Sequence, residues 1–274
     1  MRKKLLALLL AFAMVFTMVA LTGCGGSSDS GSSDGESTES DLAYVQDKGT
    51  LIVGITDFAP MDYKDDDGNW IGFDADMATA FAESIGCDVE FIEIDWDSKE
   101  MELENKSIDC VWNGMTLTDA VKEAMETSNA YCNNAQVVVV KADVADKYQN
   151  KEDCAGLTFA VEAGSAGADA AAAEGWSNVV EVQTQASALM EVEAGTAEAA
   201  IIDLLMAGAM IGEGTSYTDL TYTCSLTSEE YGVGFRKGSD MAATLNEYFA
   251  QIYADGTMQE IAEKYGTQES IIAQ

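Results

Sequence analysis

Apolar positions along this chain switch between two habits, short continuous or alternating runs and a spacing of four, and the two take turns from residue 50 onward. Residues 50–55, Thr-Leu-Ile-Val-Gly-Ile, make a β-rich run that predicts a buried first strand. Phe73, Met77, Phe81 and Ile85 are spaced by four and predict a helix over 75–85, with Asp74 as its N-cap and Gly86 as its stop. Residues 88–95 alternate and predict a second strand, which ends at Trp96 and leads into a short helix over 98–104. The stretch Ile108 to Thr118 has strand character up to a Gly-bearing turn, Asn113-Gly114-Met115-Thr116, and a helix over 119–126 follows. Four consecutive valines, 137–140, centre a strand over 131–141 that crosses into a second half. There 156–161 predicts a strand, 168–173 an Ala-rich helix, and an apolar strand ends in Asp203. Residues 231–236 read as the return crossing, and 241–254 and 257–264 as two amphipathic helices that complete the first half.

Strands alternating with helices predict an α/β fold. The layout also repeats: Glu191 to Asp203 echoes Glu102 to Gly114 across 89 positions, each a helix end, a short turn and an apolar strand. Ligands of open α/β sheets bind outside the carboxyl ends of the strands. Two similar halves with facing strand ends therefore predict a two-lobed clamp. One lobe would comprise 42–134 with 233–274 and the other 135–232, with hinges near 134–136 and 231–233. Phe58, in the loop after the first strand, could offer an aromatic face to the crevice, and Trp96 stands where the second strand ends. The Gly164-Ser165-Ala166 turn before a helix supplies free backbone donors.

The first forty residues change the picture of where such a clamp sits. Arg2, Lys3 and Lys4 precede an uncharged apolar stretch over 5–20, shorter than the roughly 18–20 residues of a comfortable membrane span, and Leu21-Thr22-Gly23-Cys24 follows. This is the basic, apolar, small-residue order of an export signal over 1–23. Its end resembles the lipobox of bacterial lipoproteins, which implies cleavage before Cys24 and acylation of that cysteine. Residues 24–41, nearly all Gly, Ser, Asp, Glu and Thr, read as a flexible tether.

Composition then narrows the chemistry. Lys and Arg number 14 against 48 Asp and Glu, a formal net charge of −34, and removal of the signal makes it more negative still. Nucleic acid and anionic lipid headgroups are thus not expected partners. The chain has no histidine, which excludes His-based triads and His-ligated zinc. Cys87, Cys110, Cys132, Cys154 and Cys224 show no Cys-x-x-Cys spacing, so neither a zinc cluster nor a full disulfide framework is indicated. No metal, cofactor or catalytic residue is expected.

Several short pieces in order resemble the extracytoplasmic solute-binding proteins of ABC transporters, of the polar amino-acid type. They are Gly49-Thr50-Leu51-Ile52-Val53-Gly54, Asp67-Gly68 before Gly72-Phe73-Asp74-Ala75-Asp76-Met77, Ile108-Asp109, Gly114-Met115-Thr116-Leu117-Thr118, Ala163-Gly164-Ser165, Tyr231-Gly232, Arg236-Lys237-Gly238 and Ala254-Asp255-Gly256-Thr257. The resemblance implies a periplasmic-binding-protein-like (type II) clamp, lipid-anchored outside the cell membrane. A monomer would close on an amino acid or similar small solute and hand it to an ABC permease. It implies that Phe58 and Trp96 sandwich the ligand and that Asn113, Gly114, Met115 and Thr116 supply donors. Ser165 and Ala166 would complete a carboxylate site, and Asp203 would take the ammonium.

One position departs from that pattern. The arginine that in the family grips the carboxylate three residues after the Thr-x-Thr motif is Val121 here. Lys122 points about 100° away on a helix, and Arg236, the one arginine after the signal, belongs to the return strand. Two ligand classes stay open at this point: an amino acid held by backbone donors, or a cationic or neutral amine lacking the carboxylate. A dehydratase of cyclic amino-acid precursors on the same fold is the enzyme alternative, and the absent arginine and histidine speak against it.

Overall fold

Strand and helix alternate through residues 40–274, which the computed structural model describes. The export signal 1–23, acylation at Cys24 and the tether up to residue 39 lie outside the described residues. Helix α1 (Asp41–Lys48) opens the fold, capped by Ser40, whose hydroxyl accepts the Ala43 N–H. It begins at Asp41, the last residue expected in the tether, where Arg236 holds Asp41 through Nε at 3.0 Å. Next come β1 (Thr50–Ile55), the hairpin β2 (Tyr63–Lys64) and β3 (Trp70–Ile71), α2 (Phe73–Ser84), β4 (Asp88–Glu93), α3 (Lys99–Glu104), β5 (Cys110–Thr116), α4 (Asp119–Ala124), β6 (Glu126–Thr127) and β7 (Cys132–Asn134). The second run holds β8 (Gln136–Lys141), α5 (Lys151–Cys154), β9 (Phe159–Glu162), α6 (Ala166–Ala173), β10 (Val179–Val182), α7 (Gln185–Ala194), β11 (Ala199–Asp203), α8 (Leu204–Met210) and β12 (Leu220–Ser225). The chain ends with β13 (Glu229–Phe235), α9 (Met241–Ala254) and α10 (Thr257–Tyr265).

These strands make two open sheets. The first runs β4-β1-β5-β13-β6, with β7 also on β13; the second runs β10-β9-β11-β8-β12. In the first, β1 is parallel to both β4 and β5, and β13 returns antiparallel. In the second, β9 is parallel to β10 and β11, and β8 is antiparallel to β11. The repeated layout thus takes structural form, because β5 and β11 are each the middle strand of their sheet. Chain direction reverses its lateral order between β1 and β5 and again between β9 and β11, and crevices open at such switch points. Leu51, Val53, Ile55, Phe73, Phe81, Trp112 and Phe249 fill the core of the first half, and Val138, Val140, Phe159, Val161, Trp176 and Ile201 cluster in the second.

Three local expectations are corrected. Asp74 is not an N-cap: Gly72 occupies that position, and Asp74 lies buried in the first turn of α2, accepting the Tyr131 hydroxyl and the Gly114 N–H. Strand β5 does not stop at Gly114 but runs through it to Thr116, because β13 continues to pair with Met115 and Thr116 beyond a register shift. The strand expected over 131–141 is broken at Ala135, so that β7 pairs in the first sheet and β8 in the second. The five cysteines among the described residues are free thiols, with Cys154 and Cys224 sulfurs 3.9 Å apart.

Candidate ligand-binding cleft

Both switch points open onto one cleft. Phe58, Trp96, Asn113, Gly114, Met115 and Thr116 line it from the first sheet, and Ser165, Ala166 and Asp203 from the second. All nine residues singled out from the sequence therefore meet in a single place. Their polar atoms are not equally free, however.

Asn113 is fully occupied by its own lobe. Its amide oxygen accepts the Thr56 N–H at 3.0 Å and the Thr56 hydroxyl at 2.8 Å, and its NH₂ donates to Thr56 O and to Asp62. Gly114 donates its N–H to Asp74 at 2.7 Å. These two residues shape the floor rather than offer donors. Gly114 also sits at φ 55°, and a Cβ there would come within 2.5 Å of the Phe58 ring. Glycine at 114 thus gives the aromatic its seat, with the ring edge-on to Tyr231 at 6.3 Å. Thr116 donates its hydroxyl to Glu229 at 3.0 Å.

Free donors gather instead at the start of α6. The Ser165 hydroxyl accepts the Ala168 N–H at 3.2 Å and caps the helix. The N–H groups of Ala166 and Gly167 have no acceptor among the described residues. They are the unsatisfied first-turn donors that favour an anion.

Two buried acids lie at the ends of β9 and β11. Asp203, 3% exposed, accepts hydrogen bonds from Asn134, Gln136, Gln185 and Tyr231. Burial, with Glu229 nearby, pushes its carboxyl up to about 7. Glu162, also 3% exposed, has an Oε1 with no hydrogen-bond partner among the described residues. Burial and the neighbouring Asp203 push Glu162 up to about 8. Sequence reasoning passed over Glu162 as part of a Gly-Ser turn.

It also passed over Lys99, Asp169 and Gln185, which line the same cleft. Lys99 is the one cation in that lining, against Glu162, Asp169 and Asp203. Val121 is there as expected, packed with Trp96 and Met115. Arg236 is turned away, tied to Asp41, Asp109 and the Ile108 carbonyl. The mouth is shut: Gln183 donates to Asp95 across it at 2.6 Å, and Gly164 lies against the Asp97 backbone. No group of acids and thiols among the described residues is placed to hold a metal ion.

The raised carboxyls set a pH dependence for the empty protein. Glu162 and Asp203 bind protons more tightly folded than unfolded, so the stability they contribute is complete below about pH 4 and is lost as pH rises through about 7 to 8. The melting temperature of the empty protein is therefore expected to fall between about pH 5.5 and about pH 8.5, and Glu162→Gln to make that fall shallower. Scanning calorimetry reads both, and a melting temperature that climbs over this range would contradict the buried protonated carboxyls.

The model of the bacterial extracellular solute-binding proteins, family 3, matches residues 51–268. The arginine-binding extracellular protein ArtP of Bacillus subtilis (strain 168) is 30% identical, with 97% of this chain and 99% of that one aligned. Among solved structures, an ABC uptake transporter substrate-binding protein from Streptococcus pneumoniae with bound histidine is 31% identical, with a TM-score of 0.75 over 85% of this chain and 98% of that one. The ancestral amino acid-binding protein AncCDT-1, a precursor of cyclohexadienyl dehydratase, is also 31% identical, with a TM-score of 0.75 over 82% and 99%.

Proposed function

The chain belongs to the bacterial extracellular solute-binding proteins, family 3, and from that premise we propose that it captures an amino acid for an ABC importer and passes it to the permease. The observation that carries the reading is the division of charge in the cleft. Unsatisfied N–H groups at Ala166 and Gly167 suit a carboxylate, and Asp203 with Glu162 suits an ammonium. An amino acid presents both. The arginine- and histidine-binding relatives are consistent with it, and the surplus of acids over Lys99 favours a ligand with an additional positive charge.

In this reading Phe58 and Trp96 cover the two faces of the ligand, Met115 and Thr116 border it, and Ser165 and Ala166 hold its carboxylate. The crossings near 134–136 and between β12 and β13 act as hinges, the second a few residues before the expected 231–233 because β13 pairs in the first sheet from Glu229 onward, and Gly164 meeting Asp97 marks the closed form. Cleavage before Cys24 and acylation there would tether the clamp, as a monomer, to the outer face of the cell membrane. No step of this cycle needs a bond made or broken in the ligand. The free donors at α6 weigh against an amine that lacks a carboxylate.

Calorimetry on the mature chain with the twenty common amino acids, L-cystine and a panel of amines tests the proposal. One-to-one binding of at least one amino acid is expected. Binding by amines alone would overturn it.

A further inference from the structure

We propose that Lys99 grips the carboxylate of the ligand, in the place of the guanidinium that Val121 leaves out. This deepens the reading of the cleft as an amino-acid site and rests on it. Lys99 opens α3, one turn beyond Trp96, and only 8% of it is exposed. Its Nζ donates to the Trp96 carbonyl and, across the cleft, to the Gly164 carbonyl, each at 3.1 Å. Gly164 immediately precedes Ser165, the cap of α6, so the ammonium stands beside the unsatisfied N–H groups of Ala166 and Gly167. A carboxylate seated on those donors is within reach of Nζ.

The present partners of Lys99 are also unequal to its charge. An ammonium has three donors, and here two meet neutral carbonyls. Burial, the larger effect, pushes the Lys99 ammonium below its ordinary value, while Glu100, Glu162, Asp169 and Asp97 favour its charged form, yet no carboxylate among the described residues hydrogen-bonds it. Glu162 in particular keeps Oε1 unpartnered although it lies in the same cleft. A buried ammonium and a buried carboxyl, neither hydrogen-bonded to the other among the described residues, leave a gap that a zwitterion fills with its own opposite ends. A charged acceptor makes a stronger bond than a carbonyl. Because Lys99 belongs to the first lobe and α6 to the second, the same bond draws the lobes together.

The test compares the free acid with its α-carboxamide, which has the same shape without the negative charge. The probes are the twenty common amino acids and L-cystine, together with the carboxamide of each that binds, titrated into wild type, Lys99→Met and Lys99→Arg. Wild type is expected to prefer the acid by about a hundredfold, Lys99→Met to lose that preference while still binding the carboxamide, and Lys99→Arg to retain it. Carboxamide binding by Lys99→Met reports that the variant is folded. A preference left intact in Lys99→Met overturns the assignment of Lys99 while the amino-acid reading stands. Loss of acid and carboxamide together also overturns it, since Lys99 would then shape the cleft rather than hold a charge. If no amino acid binds wild type, the reading of the cleft fails and this proposal with it.

Discussion

Asp203→Ala is expected to weaken binding of an ammonium-bearing ligand by about a hundredfold or more and to destabilise the empty protein by about 2–4 kcal/mol. The two losses have different origins. Asp203 gathers donors from β7, β8, α7 and β13 onto one carboxylate: Asn134, Gln136, Gln185 and Tyr231. Alanine leaves the Gln185 and Tyr231 donors without their acceptor, while Asn134 and Gln136 keep Glu229, and each orphaned group costs about 1–3 kcal/mol before relaxation. The gain from no longer burying an acid pushed up to about 7 offsets part of that cost. Affinity falls because Oδ2 has a single donor among the described residues, Gln185, and keeps room for a ligand N–H. Asp203→Asn separates the effects: the amide retains an acceptor for part of the network but no charge. It should recover stability relative to alanine without recovering affinity. Urea melts and calorimetry measure the pair, and full affinity in Asp203→Ala would remove this acid from the ligand site.

Gly164→Ala is expected to reduce affinity by about tenfold or more through closure rather than through any contact with the ligand. Gly164 has φ 66°, and a Cβ on it would lie 2.8 Å from the Asp97 Cα, on the opposite lip of the cleft. Backbone cannot swing aside as a flexible side chain can, so the closed arrangement must open slightly to admit a methyl group. A left-handed alanine also costs about 1 kcal/mol wherever it occurs. Gly175 provides the control, because it has φ 73° with nothing within 4 Å of an added Cβ. Gly175→Ala should lower stability by a similar amount and leave affinity untouched. Equal affinity losses in the two variants would show that strain, not closure, is responsible.

Most of the fold was legible because its local signals agree with its packing. The run over 50–55 became β1, and the amphipathic stretch over 241–254 became α9, since buried strands and amphipathic helices advertise their faces in sequence. The cleft was legible for a different reason: strand ends are where α/β folds bind ligands, and Phe58, Ser165 and Asp203 each follow or end a strand.

What escaped depends on contacts between distant segments. Asp74 looked like a cap because an acid before an apolar helix usually is one, and only the approach of Tyr131 and Gly114 makes it a buried acceptor. Lys99 resembled any solvated lysine on a short helix. Its burial comes from the shut mouth of the cleft, where its partner Gly164 lies 65 positions away. Glu162 was hidden by its place in a turn, and its orphaned oxygen exists only once β9 is packed between β10 and β11. The missing arginine, by contrast, was visible at Val121 from the outset, and the structure supplies a lysine from another helix beside the same site.

The central claim is that one small zwitterion is held between the two sheets with its charges divided between the start of α6 and the ends of β9 and β11. Diffraction from crystals of the mature protein grown with the amino acid that binds most tightly tests it directly. Density is expected between Phe58 and Trp96, with the carboxylate at Ala166 and the ammonium at Asp203. An amino acid bound elsewhere on the surface, with this cleft empty, would contradict the account.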